Sequence, residues 1–317
     1  MFFPVPGKGS DFVPDEISLK GYWKFRIGDN MEWAFPGYND QDWGSIRVPA
    51  RWEDCGFQGY DGFAWYRTSV SVPQEWKGHG LVLQLGYIDD ADEVYFNGKK
   101  IGQSGTFPPH AVTAYSALRE YQIPNNLLKP GMDNYIAVRV YDSQLSGGIV
   151  SGDVKIISTG MIPPFDIDLN GEWQFNKGKQ YDPEVAVSIH VPGAWENQGF
   201  YNYDGYAVYT MKIRISRDLA AQRLAFLAGR IDDVDQLVVN GQIVGQTGGY
   251  NSRQVGSYYR EFRYYFLPPG LFKPDQENLV EIRVLDTHGE GGIVEGQVGI
   301  ITQDKFRKYW KDKAVWH

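Results

Sequence analysis

A chain of 317 residues, 42% hydrophobic and 22% charged, is long enough for two domains of ordinary size and too apolar to stay disordered. Its formal net charge of −8, with basic residues clustered only near the C-terminus, excludes nucleic acid as an expected partner. A single cysteine, Cys55, excludes an intrachain disulfide; no Cys/His spacing resembles a zinc site, and no apolar run approaches a membrane span.

Residues 1–15 lack the basic and apolar regions of a signal peptide and read as an N-terminal arm. From there the chain is written twice. "LKGYWKF" at 19–25 returns as "LNGEWQF" at 169–175, and "VPARWEDCGFQGYDGFAWY" at 48–66 returns as "VPGAWENQGFYNYDGYAVY" at 191–209. In that second pair Val48 matches Val191, Trp52 matches Trp195, Asp61 matches Asp204 and Tyr66 matches Tyr209, without a gap. Further on, "IDDADEVYFNGKKIGQSG" at 88–105 returns as "IDDVDQLVVNGQIVGQTG" at 231–248, and "NYIAVRVYDSQLSGGIVSG" at 134–152 as "NLVEIRVLDTHGEGGIVEG" at 278–296. The largest insertion, "GDNMEWAFPGYNDQDW", lies in the first copy between Trp23 and Val48. Repetition at this period is one domain duplicated rather than a solenoid unit.

Within each copy the local signals are those of strands. Asn97-Gly98 and Asn240-Gly241 sit between strand-like runs, where a tight turn needs positive φ at both central positions. "YIAVRVYD" and "LVEIRVLD" alternate apolar and polar residues, and helical periodicity is nearly absent before residue 303. The expected fold is all-β: two tandem antiparallel β-sandwiches over 16–160 and 161–303, superposing on each other, with matching hairpin tips and Trp23 over Trp173. At 304–317, Phe306, Tyr309 and Trp310 fall at helical spacing, predicting a helix that packs its aromatic side on the second domain or connects to a further domain or a membrane surface.

The order of "VPARWEDCGF", "DGFAWYR", "VYFNGKKIG", "REYQIPNNLLKPGMDNYIAVRVYD" and "GGI" resembles the N-terminal sugar-binding domain of glycoside hydrolase family 2. All five recur in the second copy, where Val208 replaces Trp65 and Thr210 replaces Arg67. The resemblance implies a jelly-roll sandwich of the galactose-binding-like class and an extracytoplasmic location. In that family the catalytic carboxylates sit on a separate barrel, and this chain has neither the length nor the βα alternation for one. Similar modules also serve as sensory parts of bacterial signalling proteins and in esterases of sialic-acid metabolism.

Each candidate site residue has a structural reading beside the functional one. Trp52 and Trp195 precede a Gly-rich loop and could stack on a sugar ring, or anchor a core as Trp23 and Trp173 are expected to. Tyr60-Asp61 and Tyr203-Asp204, with Glu53, Glu196 and Trp65, could form an aromatic platform with carboxylate acceptors; Asp61 and Asp204 could equally cap their own turns. By the resemblance, Asp142 and Asp286 correspond approximately to an aspartate of the family's substrate pocket, and the loops 53–61 and 142–148 are expected to meet at one end of the first sandwich. The runs Asp89-Asp90-Ala91-Asp92 and Asp232-Asp233-Val234-Asp235 could supply calcium ligands, or form solvated turns, since they lack the spaced Gly-containing calcium loop; no other cofactor is expected. His110 and His288 are isolated, and no Ser/His/Asp set can be assembled. Two functions follow from different classes: a non-catalytic carbohydrate-binding or carbohydrate-sensing protein, or a structural and interaction module supporting a catalytic or signalling domain. Burial of Trp52, Trp65 and Trp195 together would favour the second.

Overall fold

The computed structural model describes residues 15–250 and 258–314. The arm expected over 1–15 therefore lies, but for Asp15, outside the described residues, as do 315–317 of the expected C-terminal helix. The first ten strands are β1 (Glu16–Ser18), β2 (Gly21–Ile27), β3 (Gly44–Val48), β4 (Gly62–Ser71), β5 (His79–Asp89), β6 (Ala91–Phe96), β7 (Lys99–Ser104), β8 (Leu118–Ile123), β9 (Asp133–Asp142) and β10 (Gly148–Met161). The next ten are β11 (Ile167–Asp168), β12 (Gly171–Lys177), β13 (Val187–Val191), β14 (Gly205–Arg214), β15 (Leu224–Asp232), β16 (Val234–Val239), β17 (Gln242–Thr247), β18 (Phe262–Phe266), β19 (Glu277–Asp286) and β20 (Gly292–Thr302). A one-turn helix, α1 (Arg217–Ala220), precedes β15, and α2 (Gln303–Ala314) follows β20.

Each copy makes a four-stranded and a six-stranded antiparallel sheet. The first copy's orders are β1-β10-β5-β8 and β3-β2-β4-β9-β6-β7; the second copy's, β11-β20-β15-β18 and β13-β12-β14-β19-β16-β17, correspond strand for strand. Among the described residues no sheet draws strands from both copies. The inward positions of the two sheets form one core per copy: Trp23, Phe25, Tyr66 and Val138 from the larger sheet face Leu83, Leu85, Ile123 and Ile156 from the smaller. Trp173, Phe175, Tyr209 and Ile282 meet Phe226, Val298 and Ile300 in the same way. Alternation along the strands explains the layering, since one side of each sheet is closed by its partner. The duplicated jelly-roll sandwich expected from the sequence is what forms.

The hairpin tips carry a second duty beyond their turns. Asn97 and Gly98 have φ of 49° and 82°, and Asn240 and Gly241 of 51° and 80°, as the tight turn requires. Asn97 also donates from Nδ2 to Leu127 O and to Asn134 Oδ1, while the fully buried Asn134 donates to Lys129 O and Met132 O and accepts from Lys129 N. Asn240 and Asn278 repeat this with Leu271, Lys273 and Gln276. One amide thus ties the hairpin to the loop before β9. Asn134→Ala removes these bonds and leaves buried backbone groups unpaired, so it is expected to cost roughly 2–4 kcal/mol in urea unfolding.

Helix α2 lies against β15 and β20. Phe306 is buried with Ala225, Leu227 and Ile301, and Tyr309 donates its hydroxyl to Met161 O at 2.9 Å. The two sandwiches touch elsewhere through Gly105 N donating to Asn197 O, Tyr201 donating to Thr113 O, and Gln297 Nε2 donating to Gln122 Oε1.

Candidate functional site

The end of the first sandwich is assembled by register. Gly62, opening β4, pairs with Asp142, closing β9, and Gly148, opening β10, pairs with Asp89, closing β5. The loops 53–61 and 142–148 meet there, with Trp52 N donating to Gly147 O at 3.0 Å. The second copy repeats the arrangement, pairing Gly205 with Asp286 and Gly292 with Asp232.

Three of the expected aromatic contacts are not available to a ligand. Trp52, Trp65 and Trp195 are each 0% exposed, which corrects the stacking role expected for them. Trp52 lies between Phe25 and Tyr60, with ring centroids 6.0 and 5.6 Å away, and donates Nε1 to Tyr66 Oη at 2.6 Å. The "GGI" motif exists to admit it: a Cβ on Gly147 would come within 2.1 Å of the indole, and Gly148 has φ of +109°. Tyr60 and Tyr203 are half-buried against these indoles and donate their hydroxyls to Phe63 O and Tyr206 O at 2.6 Å, so they fasten the turn rather than offer a platform.

Trp65 faces the other way. It lies on the outer side of the six-stranded sheet with Trp33, Trp43 and Tyr95, under the insertion peculiar to the first copy, and donates Nε1 to Asp29 at 3.0 Å. Arg67 anchors the same insertion through Asp40 at 2.7 Å and the carbonyls of Trp33 and Phe35. Val208 and Thr210 stand at these positions in the second copy, which has the shorter link. The substitutions between copies therefore follow the cap and not a binding surface.

The carboxylates do converge. Asp89, Asp90 and Asp142 bring ligand oxygens within 4.8 Å of one another, as do Asp232, Asp233 and Asp286. Asp90 accepts from Ser143 N, Ser143 Oγ and Thr113 Oγ1, and Asp142 Oδ1 accepts from Gln144 N. Asp142 is 0% exposed and its Oδ2 has no hydrogen-bond partner; both carboxylate oxygens of Glu53 are likewise buried and unpartnered. Asp61, exposed at the rim, adds its charge to Asp142. Burial pushes the Asp142 carboxyl up to about 7, and burial with the neighbouring Asp90 charge pushes Asp89 up to about 6. For Asp90 burial works in the same direction, but the hydrogen bonds from Ser143 and Thr113 outweigh it and hold that carboxyl below its ordinary value.

In the second copy the expected residues differ in one respect. Trp195 turns its indole over, so that Nε1 donates to Glu196 Oε1 at 2.6 Å, and Glu196 Oε2 accepts from Gly291 N at 2.9 Å. Glu196 is thereby occupied where Glu53 is not, although burial still raises it to about 7. Burial also raises Asp232 to about 7 and Asp286 to about 6, and Asp286 Oδ2 again lacks a partner. Asp204 is exposed at that rim. The neighbouring loop residues Asn197 and Tyr201 are engaged by the first domain, Tyr201 at Thr113, whose hydroxyl donates to Asp90.

Asp92 and Asp235 leave the candidate calcium runs altogether, a correction to the reading of those runs as solvated turns. Both are fully buried and ion-paired, Asp92 to Arg119 at 2.7 Å and Asp235 to Arg263 at 2.8 Å, and each also accepts from a tyrosine, Tyr121 or Tyr265. Arg119 spends its remaining donors on carbonyls: Ala114 and Ala117 from one nitrogen, Ile88 and Asp90 from the other. The guanidinium thus grips the backbone on both sides of Asp89. Sequence reasoning kept Asp89 and Asp90 apart from Asp142; the available signal was that in both copies an Asp pair precedes the hairpin strand and an Asp ends the long strand, β9 or β19.

Comparison with known proteins gives the motif resemblance its partners. The chain is 26% identical over 151 residues, 44% of its length, to a β-galactosidase of Bacteroides ovatus. It is 24% identical over 224 residues, 57% of its length, to a β-galactosidase of Priestia megaterium. This chain resembles family 2 glycoside hydrolases. The matches take in 16% and 20% of those two relatives, so the chain spans less than a quarter of the curated relatives it matches. A solved glycosyl hydrolase family 2 member from Bacteroides cellulosilyticus is similar over 86% of this chain and 32% of its own, at 17% identity and a TM-score of 0.39. A β-glycosidase from Bacteroides vulgatus is similar over 74% and 27%, at 21% identity and a TM-score of 0.37. No family model matches the chain. Among the described residues no helix is long and apolar enough to cross a membrane.

Proposed function

We propose that the chain is the non-catalytic, carbohydrate-contacting part of a glycoside hydrolase-type protein, working outside the cytoplasm, and that its first sandwich meets the sugar at the rim of its acidic end, where Asp61 is exposed. The observation that carries this reading is the exposed Asp61 carboxylate, at the end of the sandwich where Gly62 pairs with Asp142. Sugar hydroxyls are donors, and a carboxylate accepting from them makes a charge-assisted bond. With the three indoles buried they give the sugar no stacking contact, so affinity there rests on a few hydrogen bonds and a dissociation constant on the order of millimolar is expected.

β-Galactosides are the first ligands to test, because the curated relatives are named β-galactosidases. Titration of a glycan panel followed by NMR is expected to show a weak binder whose affinity falls at least about fivefold, roughly 1 kcal/mol, in Asp61→Ala at unchanged thermal midpoint. Silence across β-galactosides, β-glucuronides and plant polysaccharide fragments would sink the reading. The burial of Trp52, Trp65 and Trp195 favours the second reading, in which both sandwiches are supports for a partner domain. That silence would leave it standing.

A further inference from the structure

We infer that each sandwich holds a calcium-class divalent cation at its acidic end, on Asp89, Asp90 and Asp142 in the first copy and on Asp232, Asp233 and Asp286 in the second. This goes beyond the sugar-contacting role and does not require it.

Geometry is the first argument. Two oxygens bound to one Ca2+ at about 2.3–2.6 Å lie at most about 4.6–5.2 Å apart. Both triads already fall within that span, with ligand atoms no more than 4.8 Å from one another. Mg2+, with bonds of about 2.0–2.1 Å, would ask the same side chains to fit a strict octahedron.

Unspent acceptors are the second and independent argument. Asp142 and Asp286 are 0% and 1% exposed, yet each leaves Oδ2 without a hydrogen-bond partner. In the first copy Glu53 adds two more buried oxygens without partners, and its charge reaches Asp89. Buried carboxylate oxygens are ordinarily satisfied, and one left open in the same place in both copies points to something that fills it.

Charge is the third. An arginine has five N–H donors. The arginine beside each triad has committed all of them: Arg119 to Asp92 and the carbonyls of Ala114, Ala117, Ile88 and Asp90, and Arg263 to Asp235 and the carbonyls of Tyr258, Glu261, Ile231 and Asp233. The guanidinium fixes the Asp-Asp turn by its backbone and gives no hydrogen bond to the triad's carboxylates. Three carboxylates brought this close repel one another, and a hard cation bound by oxygen relieves that repulsion.

The test is calorimetric titration of the EDTA-stripped full chain with CaCl2 alone, beside thermal melts in EDTA, CaCl2, MgCl2 and NaCl of matched ionic strength. The expected result is a stoichiometry of two, dissociation constants on the order of 10^-4 to 10^-3 M or tighter, and a midpoint that rises with calcium more than with the other salts. Asp142→Asn is expected to reduce the stoichiometry to one, and Asp142→Asn with Asp286→Asn to abolish it. Should Asp142→Asn unfold the first domain in EDTA, Glu53→Gln and Asp89→Asn, read as the calcium-induced shift from each variant's own EDTA baseline, decide instead. No heat and no calcium-specific shift in the unaltered chain overturns the inference, as does a response that survives the paired substitution. No sugar is present in this titration, so calcium binding without glycan binding would sink only the carbohydrate reading, and glycan binding in EDTA without calcium binding would sink only this one.

Discussion

Trp52→Ala and Trp65→Ala are each expected to lower stability by about 3–5 kcal/mol, the range for truncating a fully buried aromatic side chain. For a domain of this size that corresponds to a fall in thermal midpoint on the order of 10 °C. The two losses have different origins. Trp52 fills the interior of the sandwich against Phe25 and the Gly147–Gly148 turn, and its Nε1 satisfies Tyr66 Oη. Its removal leaves a cavity where backbone has closed tightly round the indole. Trp65 instead joins Trp33, Trp43 and Tyr95 in a second, smaller cluster that fastens the 28–43 insertion to the outside of the sheet. Its loss should loosen that cap, visible as faster amide exchange at Trp33 and Ala34, while β4 stays paired. Asp61→Ala, at an exposed rim, should stay within about 0.5 kcal/mol of the unaltered protein. A calorimetric series on these three variants separates core from rim, and an unchanged midpoint for Trp65→Ala would contradict the packing described.

The doubled architecture was legible because duplication turns one sequence into two observations. The Asn-Gly turns, the alternating β9 and β19 strands and the paired Trp23 and Trp173 all lie where the repeat puts them. What the sequence could not separate was burial from exposure for a Trp beside glycines. A Gly-rich loop can present an indole or close over it, and only the approach of Gly147 and Gly148 decides which. The insertion hid a second cue. Trp33 and Trp43 within it needed an apolar partner on the sheet, and Trp65 and Arg67, absent from the copy without the insertion, were that partner. The acidic runs failed for a simpler reason: Asp90 lies in the bend between β5 and β6, where strand alternation does not hold, and faces Ser143, while Asp92 is inside β6 and faces Arg119 within the sandwich.

That last pair predicts the other large effect. Arg119→Ala is expected to cost about 3–5 kcal/mol, because it strands the Asp92 carboxylate in a place from which water is excluded. Burial already pulls the Asp92 carboxyl upward, against the pull of Arg119 in the other direction, so without the guanidinium that carboxyl should take up a proton rather than remain charged. Asp92→Asn should cost less than Arg119→Ala, since the amide oxygen can still accept from Arg119 Nε while its NH2 donates to Tyr121 Oη, which can turn its own proton to Ser104. Replacing both partners together, Arg119→Met with Asp92→Leu, should recover part of the stability, because no charge is left stranded although the carbonyls that Arg119 served lose their donor. The recovered protein then isolates the other task of the arginine. Its second nitrogen donates to Ile88 O and Asp90 O and holds the turn on which Asp89 and Asp90 are mounted. Methionine cannot make those bonds, so the double variant should be more stable in urea than Arg119→Ala yet show a weakened calcium response at the first site, with the second site, clamped by Arg263, unaffected. A double variant that regains both stability and the full calcium response would show that packing alone positions the turn and that the guanidinium clamp does not.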